Sequence, residues 1–209
     1  NAIDQSGRDI VYSLSPGGNV DENAIDFYKK ANMLRVTHDI WDEQKGIDQS
    51  FQAWRKWSGK EAPGFWIDMD MIPFGQLQLM SPKPEGLKGN ESKADITRKI
   101  ESGELTNVEL LAGKGWKRWS RFTKDQMYTF ITIRALSASP LMMGGDLPTL
   151  DDFSLKLITE KEILACNQNG RMGKLIYEKP GLEIWRTPKK KSSDGWLGIF
   201  NRTDSIQSI

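Results

Sequence analysis

The chain has 209 residues, with 29 lysines and arginines set against 28 aspartates and glutamates. So close a balance creates no field that would gather phosphates or lipid headgroups, which argues against nucleic acid and membrane surfaces as partners and favours neutral ones. With one cysteine, Cys166, and one histidine, His38, an internal disulfide and a cysteine-built zinc centre are excluded, and neither metal nor cofactor is assigned.

Asp9 to Ser15 is a β-branched and aromatic run stopped by Pro16-Gly17-Gly18, which reads as a buried strand ending in a loop. Asp21 then caps an amphipathic segment to about Ala31, with Ala24, Ile25, Phe27 and Tyr28 toward the core. A second strand is predicted over Met33 to His38. After the acidic turn Asp39 to Asp42, a helix carries Phe51, Trp54 and Trp57 at helical spacing. A third strand follows at Gly64 to Met71. The stretch from about Pro73 to Ser120 is polar and too long for an ordinary connection, so it reads as a large loop with room for one helix. A helical pattern resumes from Thr123 to about Ala138, and Pro140 to Met143 makes a short buried strand before Gly144-Gly145-Asp146.

This order of elements predicts an α/β fold with parallel strands joined by right-handed helical crossovers. Beyond Asn169 the texture changes. Gly173 to Glu178, Gly181 to Arg186 and Gly195 to Phe200 are short alternating strands separated by turn residues, the pattern of an antiparallel sheet. Two domains are therefore expected, 7–168 and 169–209. Nothing in the residues reports a compartment, and no run approaches the roughly 18 to 20 apolar residues of a membrane span.

In a parallel barrel the reactive groups sit at the carboxyl ends of the strands, which here directs attention to Ser13 to Ser15, Arg35 to Asp42, Asp68 to Met71 and Met143 to Asp146. Carboxylates gather at these ends. Hydrolysis of a glycosidic bond needs two facing carboxyl groups, one to protonate the leaving oxygen and one opposite it. An aspartate in such a place is also a common helix N-cap, and Asp42 and Asp146 are read as caps or loop-forming residues. Eight tryptophans offer indole faces on which sugars stack, although most such rings serve the core.

The string Ala31-Asn-Met-Leu-Arg35-Val-Thr-His-Asp39-Ile-Trp-Asp42, followed by Gly64-Phe-Trp66-Ile-Asp68-Met-Asp70-Met71 and Ala138-Ser139-Pro140-Leu-Met-Met-Gly-Gly-Asp146, resembles glycoside hydrolase family 27, the retaining glycosidases of the α-galactosidase kind. Ile163 to Gly173, with Asn167-Gln168 inside it, is similar to that family's passage from barrel to C-terminal β-domain. The resemblance implies the second half, strands 5–8, of a (β/α)8 TIM barrel followed by a partial antiparallel β-domain. It implies a galactoside-type carbohydrate as substrate. Asp39 occupies the family's Arg-x-x-x-Asp aspartate, which makes it the expected general acid/base, with a carboxyl partly desolvated so that it can hold a proton. Arg35, Asp70 and Met71 match substrate-binding positions, while Asp68 is expected to orient backbone or arginine. Trp66 is a candidate for pocket or core.

The chain departs from the family pattern in two ways. The family nucleophile is an aspartate in a Lys-x-Asp motif on the fourth strand, and no strand here supplies it, so the isolated chain is expected to be inactive. Where many members have Ser-Cys-Glu-Trp, this chain has Ser13-Leu14-Ser15-Pro16, which puts Ser15 at a position that chooses the substituent on sugar carbon 2. An α-galactoside, an α-N-acetylgalactosaminide and a β-L-arabinopyranoside all stay open. A half-barrel would expose raw sheet edges, and these predict a homo-oligomer. A non-catalytic carbohydrate-binding or assembly module is the alternative.

Overall fold

A computed structural model of the chain describes residues 2–79, 91–104 and 117–208. A one-turn helix α1 (Ala2–Gln5) precedes three short parallel strands, β1 (Ser13–Leu14), β2 (Met33–Arg35) and β3 (Trp66–Asp68), hydrogen-bonded in the order β1-β2-β3. Leu14 pairs with Leu34, Leu34 with Ile67, and Arg35 with Asp68. Leu34 and Ile67 are fully enclosed, as expected of parallel strands covered on both faces.

The strands are shorter than the hydrophobic runs that announced them. Only Ser13 and Leu14 of the first run pair with β2, and Ile10, Val11 and Tyr12 are exposed. As the sheet is ordered, β1 has a described neighbour on one side alone. The predicted helix after Asp21 shrinks to a 3-10 turn at Glu22–Ala24 and one α turn, α2 (Ile25–Tyr28). Asp21 does cap it, accepting the Asn23 N–H at 2.9 Å. Ile25 and Tyr28 pack on the core, but Phe27 is exposed, contrary to expectation. Residues two apart on a helix point away from one another, so a single turn cannot seat Ile25 and Phe27 together.

The helix α3 (Gln44–Trp57) buries Ile47, Phe51, Trp54 and Trp57 on one stripe, as its spacing predicted. In the long connection, β4 (Gln76–Leu77) pairs antiparallel with β5 (Arg118–Trp119), and α4 (Lys93–Glu101) lies between them in sequence. Residues 80–90 and 105–116 of the predicted loop lie outside the described residues. The next helix, α5 (Lys124–Leu136), opens with a reciprocal capping box. Thr123 Oγ1 accepts the Gln126 N–H, and Gln126 Oε1 accepts the Thr123 N–H. Its interior is buried nearly all round, which suits a helix packed between a sheet and further helices.

Pro140 to Met143 forms no strand. A lone parallel bridge joins Ile72 to Met143 instead, with Ile72 N donating to Met142 O at 2.7 Å. Two helices follow, α6 (Asp152–Thr159) and α7 (Lys161–Gln168). Glu160 ends the first and caps the second. The last segment is the antiparallel sheet expected, β6 (Lys174–Lys179), β7 (Leu182–Pro188) and β8 (Gly195–Asn201), paired in chain order. Its inner face meets α3. Trp185 stacks on Trp54 with ring centroids 3.8 Å apart, Phe200 stands edge-on to both Phe51 and Trp54, and Trp54 Nε1 donates to Gly173 O at 2.9 Å.

Candidate active site

Pairing of Arg35 with Asp68 sets these two residues side by side at the carboxyl ends of their strands. Beyond Asp68 the chain reverses sharply. Asp68 Oδ1 accepts the Asp70 N–H at 2.8 Å, and Asp70 itself sits at φ +72°, a left-handed conformation that aspartate tolerates better than most residues. The turn aims the Asp70 carboxylate back toward β2. There Oδ2 accepts the Ile40 N–H at 2.7 Å and lies 3.2 Å from Arg35 Nη2. The same guanidinium nitrogen stands 2.5 Å from Asp39 Oδ1. Arg35 thus holds the carboxylates of both neighbouring strand ends.

Three of the residues expected at the site, Arg35, Asp39 and Asp70, are joined directly in this way. Met71 follows Asp70 and lies against Gly144, where an added Cβ would collide with the Met71 thioether. This explains the small residue at 144, because the bridge at Met143 brings the two loops into contact there. Ser15 is one residue past the Leu14–Leu34 pair, hence at the level of Arg35, and it is exposed.

The Asp39 side chain is 59% exposed, against 18% for Arg35 and 17% for Asp70. The partial desolvation expected of a proton-holding acid is therefore not supplied by the described residues, among which Arg35 is an ion-pair partner of Asp39. Asp68 is the buried member of the group. Its burial pushes the carboxyl above the usual aspartate range, while the Asp70 N–H and the positive charges of Arg134 and Arg35 act in the other direction.

Of the two readings open for Asp42, cap or loop former, the structure favours the second, since Glu43 occupies the N-cap of α3. The Asp42 carboxylate is wholly buried and takes both terminal nitrogens of Arg118, at 2.6 and 2.8 Å, together with the Arg121 N–H at 2.6 Å. It pins β5 and the residues after it beneath the acidic turn. Trp66 begins β3 and pairs with Met33, so it stands at the opposite end of the strands from Asp70, and it is exposed and outside the core. Asp146 behaves as expected of a loop former, accepting from Thr149 Oγ1 at 2.6 Å. Cys166 is buried with its thiol pushed up to about 12. Among the described residues no group of three or more His, Cys, Asp or Glu side chains is placed to hold a metal ion.

Sequence reasoning missed Arg118 and Arg134. The first sits in a two-residue strand too short to show a period, and its partner is 76 residues away. The second left one signal, a charge inside the apolar string Ile131-Thr-Ile-Arg134-Ala-Leu136.

Comparison with known proteins finds similarity to glycoside hydrolases. Alpha-galactosidase 2 of Arabidopsis thaliana is 26% identical over 210 residues, which is 100% of this chain and 42% of the plant protein. Alpha-galactosidase A of Homo sapiens is 23% identical over 97% of this chain and 39% of its own length. Among solved structures, a family 27 β-L-arabinopyranosidase from Geobacillus stearothermophilus superposes with a TM-score of 0.76 and 31% identity, over 97% of this chain and 40% of that one. A putative α-N-acetylgalactosaminidase from Bacillus halodurans C-125 gives a TM-score of 0.65 and 28% identity over 97% and 39%. No protein-family model matches the chain. The chain is a relative of the family 27 glycoside hydrolases, as its strand-end motifs implied. It spans about two fifths of the length of the curated relatives it matches.

Proposed function

We propose that these residues form the acid/base half of a retaining exo-glycosidase that removes a terminal galactose-like sugar, an α-galactoside or a β-L-arabinopyranoside. The observation that carries this reading is the Arg35 bridge, which brings Asp39 and Asp70 together at the ends of adjacent parallel strands. In this reading β1 to β3 and the Ile72–Met143 bridge correspond to the second half of a (β/α)8 barrel, and residues 169–209 open a β-domain.

Asp39 is the general acid/base. Retaining hydrolysis asks one carboxyl group to protonate the leaving oxygen and then, as carboxylate, to take a proton from the water that releases the sugar. An exposed carboxyl with a guanidinium on one side is accessible for both transfers. Leaving-group atoms seated over Asp39 would remove the water around it, which the described residues do not do in the free state. Asp70 accepts hydrogen bonds from sugar hydroxyls while Arg35 holds its carboxylate in place, Met71 forms an apolar wall, and Ser15 borders the position that recognises the group on carbon 2. The nucleophile is a second carboxylate about 5 to 5.5 Å from Asp39 across the sugar, and no residue of this chain occupies its motif.

Turnover on chromogenic α-galactoside, α-N-acetylgalactosaminide and β-L-arabinopyranoside tests the reading. The 209 residues alone are expected to show none. A protein in which the same residues are joined to a nucleophile strand is expected to hydrolyse at least one, and to lose that activity with Asp39→Asn. Activity that survives Asp39→Asn removes the acid/base assignment, and turnover by the 209 residues alone removes the assignment of the nucleophile elsewhere.

A further inference from the structure

Arg134 is completely buried in the last turn of α5. An enclosed guanidinium is normally compensated by a carboxylate in direct contact, and among the described residues Arg134 has no such ion pair. Its Nη2 donates to Met69 O at 2.6 Å, its Nη1 donates to Ser50 Oγ at 3.1 Å, and its guanidinium carbon lies 4.2 Å from the centre of the Phe130 ring. The negative charges it feels are Asp68 and Asp70, the residues on either side of Met69, and burial brings the guanidinium down to about 10.

The other polar group of Met69 is also held from the same direction. Its N–H donates to Ser139 Oγ at 3.0 Å. Ser139 is fixed in turn, because Asn167 Nδ2 donates to both Ser139 O and Arg134 O, at 2.8 and 3.0 Å. Met69 follows the last paired residue of β3, and these bonds, made by α5 and the segment after it, replace a sheet ladder at that point. What they fix is the turn in which Asp70 adopts its left-handed backbone and presents its carboxylate to the Ile40 N–H and Arg35.

We propose that Arg134 is a positioning residue for the sugar-side carboxylates: by holding the Met69 carbonyl it sets the Asp68–Asp70 turn, and through Asp70 it sets Arg35 and the backbone beside Asp39. What those carboxylates bind rests on the function proposed above; the positioning itself does not. The role explains why a charge is kept in an apolar helix. A leucine there would fill space, but it could not bond a carbonyl that the sheet leaves unpaired.

The test uses amide NMR of the full chain, in which the Ile40 and Asp70 N–H groups report directly on the carboxylates that accept them. In Arg134→Met both signals are expected to shift and their exchange with solvent to quicken at least about tenfold, while the Trp54 indole N–H, bonded to Gly173 O, stays in place. Arg134→Lys, which keeps a donor and a charge, is expected to restore part of the change. Unaltered Ile40 and Asp70 signals in Arg134→Met overturn the proposal, as does a change that spreads equally to Trp54, which would mean general loosening. If Arg134→Met does not fold, Ser139→Ala removes the other grip on Met69 and is read in the same way. Titration with galactose and L-arabinose then separates the two ideas. Amide changes without sugar binding by the unmodified chain uphold the positioning and overturn the sugar reading, whereas equal sugar affinity in both proteins overturns the positioning.

Discussion

The backbone N–H of Ile40 donates to Asp70 Oδ2 at 2.7 Å, so a carboxylate from the end of β3 ties down the residue that follows Asp39 at the end of β2. Two strand ends are locked to one another by a bond that neither strand needs for its own pairing.

Removing this acceptor has a calculable cost. Ile40 is fully buried, and Asp70→Ala would leave its N–H without a partner while depriving Arg35 of one of two carboxylates. Hydrogen bonds to charged groups contribute about 1.5 to 3 kcal/mol, and urea denaturation is expected to show a loss in that range. Asp70→Asn keeps an oxygen in place and should lose less. An unchanged unfolding midpoint in Asp70→Ala would show that the tie contributes nothing.

The Asp42–Arg118 pair is enclosed, with side chains 0% and 4% exposed. Removing the carboxylate takes two charge-assisted hydrogen bonds from a buried guanidinium, and Asp42→Ala is expected to destabilise the protein by about 3 to 5 kcal/mol. Replacing both, as Asp42→Leu with Arg118→Met, should recover much of this, because the desolvation of two ions then disappears together with their attraction. Equal losses in the single and double variants would place the effect in the shape of the loop instead of its charge.

Trp54 and Trp185 join α3 to the antiparallel sheet face to face. A double-mutant cycle built on Trp54→Phe and Trp185→Phe should give a coupling of about 0.5 to 1.5 kcal/mol, the usual worth of an aromatic pair beyond its buried area. Strict additivity would mean that the two rings act only as bulk.

Asp68 gives a pH dependence of definite sign. Its folded carboxyl titrates above the ordinary aspartate value because it is buried, so between about 3.9 and the raised folded value the native protein binds more protons than the unfolded chain. Stability contributed by this group therefore falls as pH rises through that window. Unfolding free energies measured at stepped pH should show the downward slope in the natural protein and lose it in Asp68→Asn. A slope that persists in the variant would have to come from another carboxyl group.

Much of this arrangement was legible before any coordinates. Leu34, Ile67, Phe51, Trp54 and Trp57 occupy the core because apolar periodicity reports burial directly. Arg35, Asp39 and Asp70 were legible as strand-end residues, and the structure brings them into contact. The extent of pairing was not. Ile10, Val11 and Tyr12 have strand-forming side chains whatever lies beside them, whereas pairing depends on a neighbour that no local pattern records. The two-residue strands at Gln76 and Arg118 are too short to carry a period. The partner of Asp42 was not legible locally, because Arg118 lies 76 residues away on β5. Arg134 was hidden by the helix that contains it: a charged residue in an apolar segment normally marks the solvent side, and here it marks the inside.

One nitrogen of Arg35 serves both Asp39 and Asp70, and a shared donor cannot be indifferent to which of its acceptors carries charge. Under the proposed acid/base role, a proton arriving on Asp39 would weaken the pull from that side and leave the guanidinium held more by Asp70, and its departure would reverse this. If the acid/base role is right, Arg35 works as the pointer of a balance, tilting once in each half of the reaction and carrying news of the leaving-group side to the groups that grip the sugar.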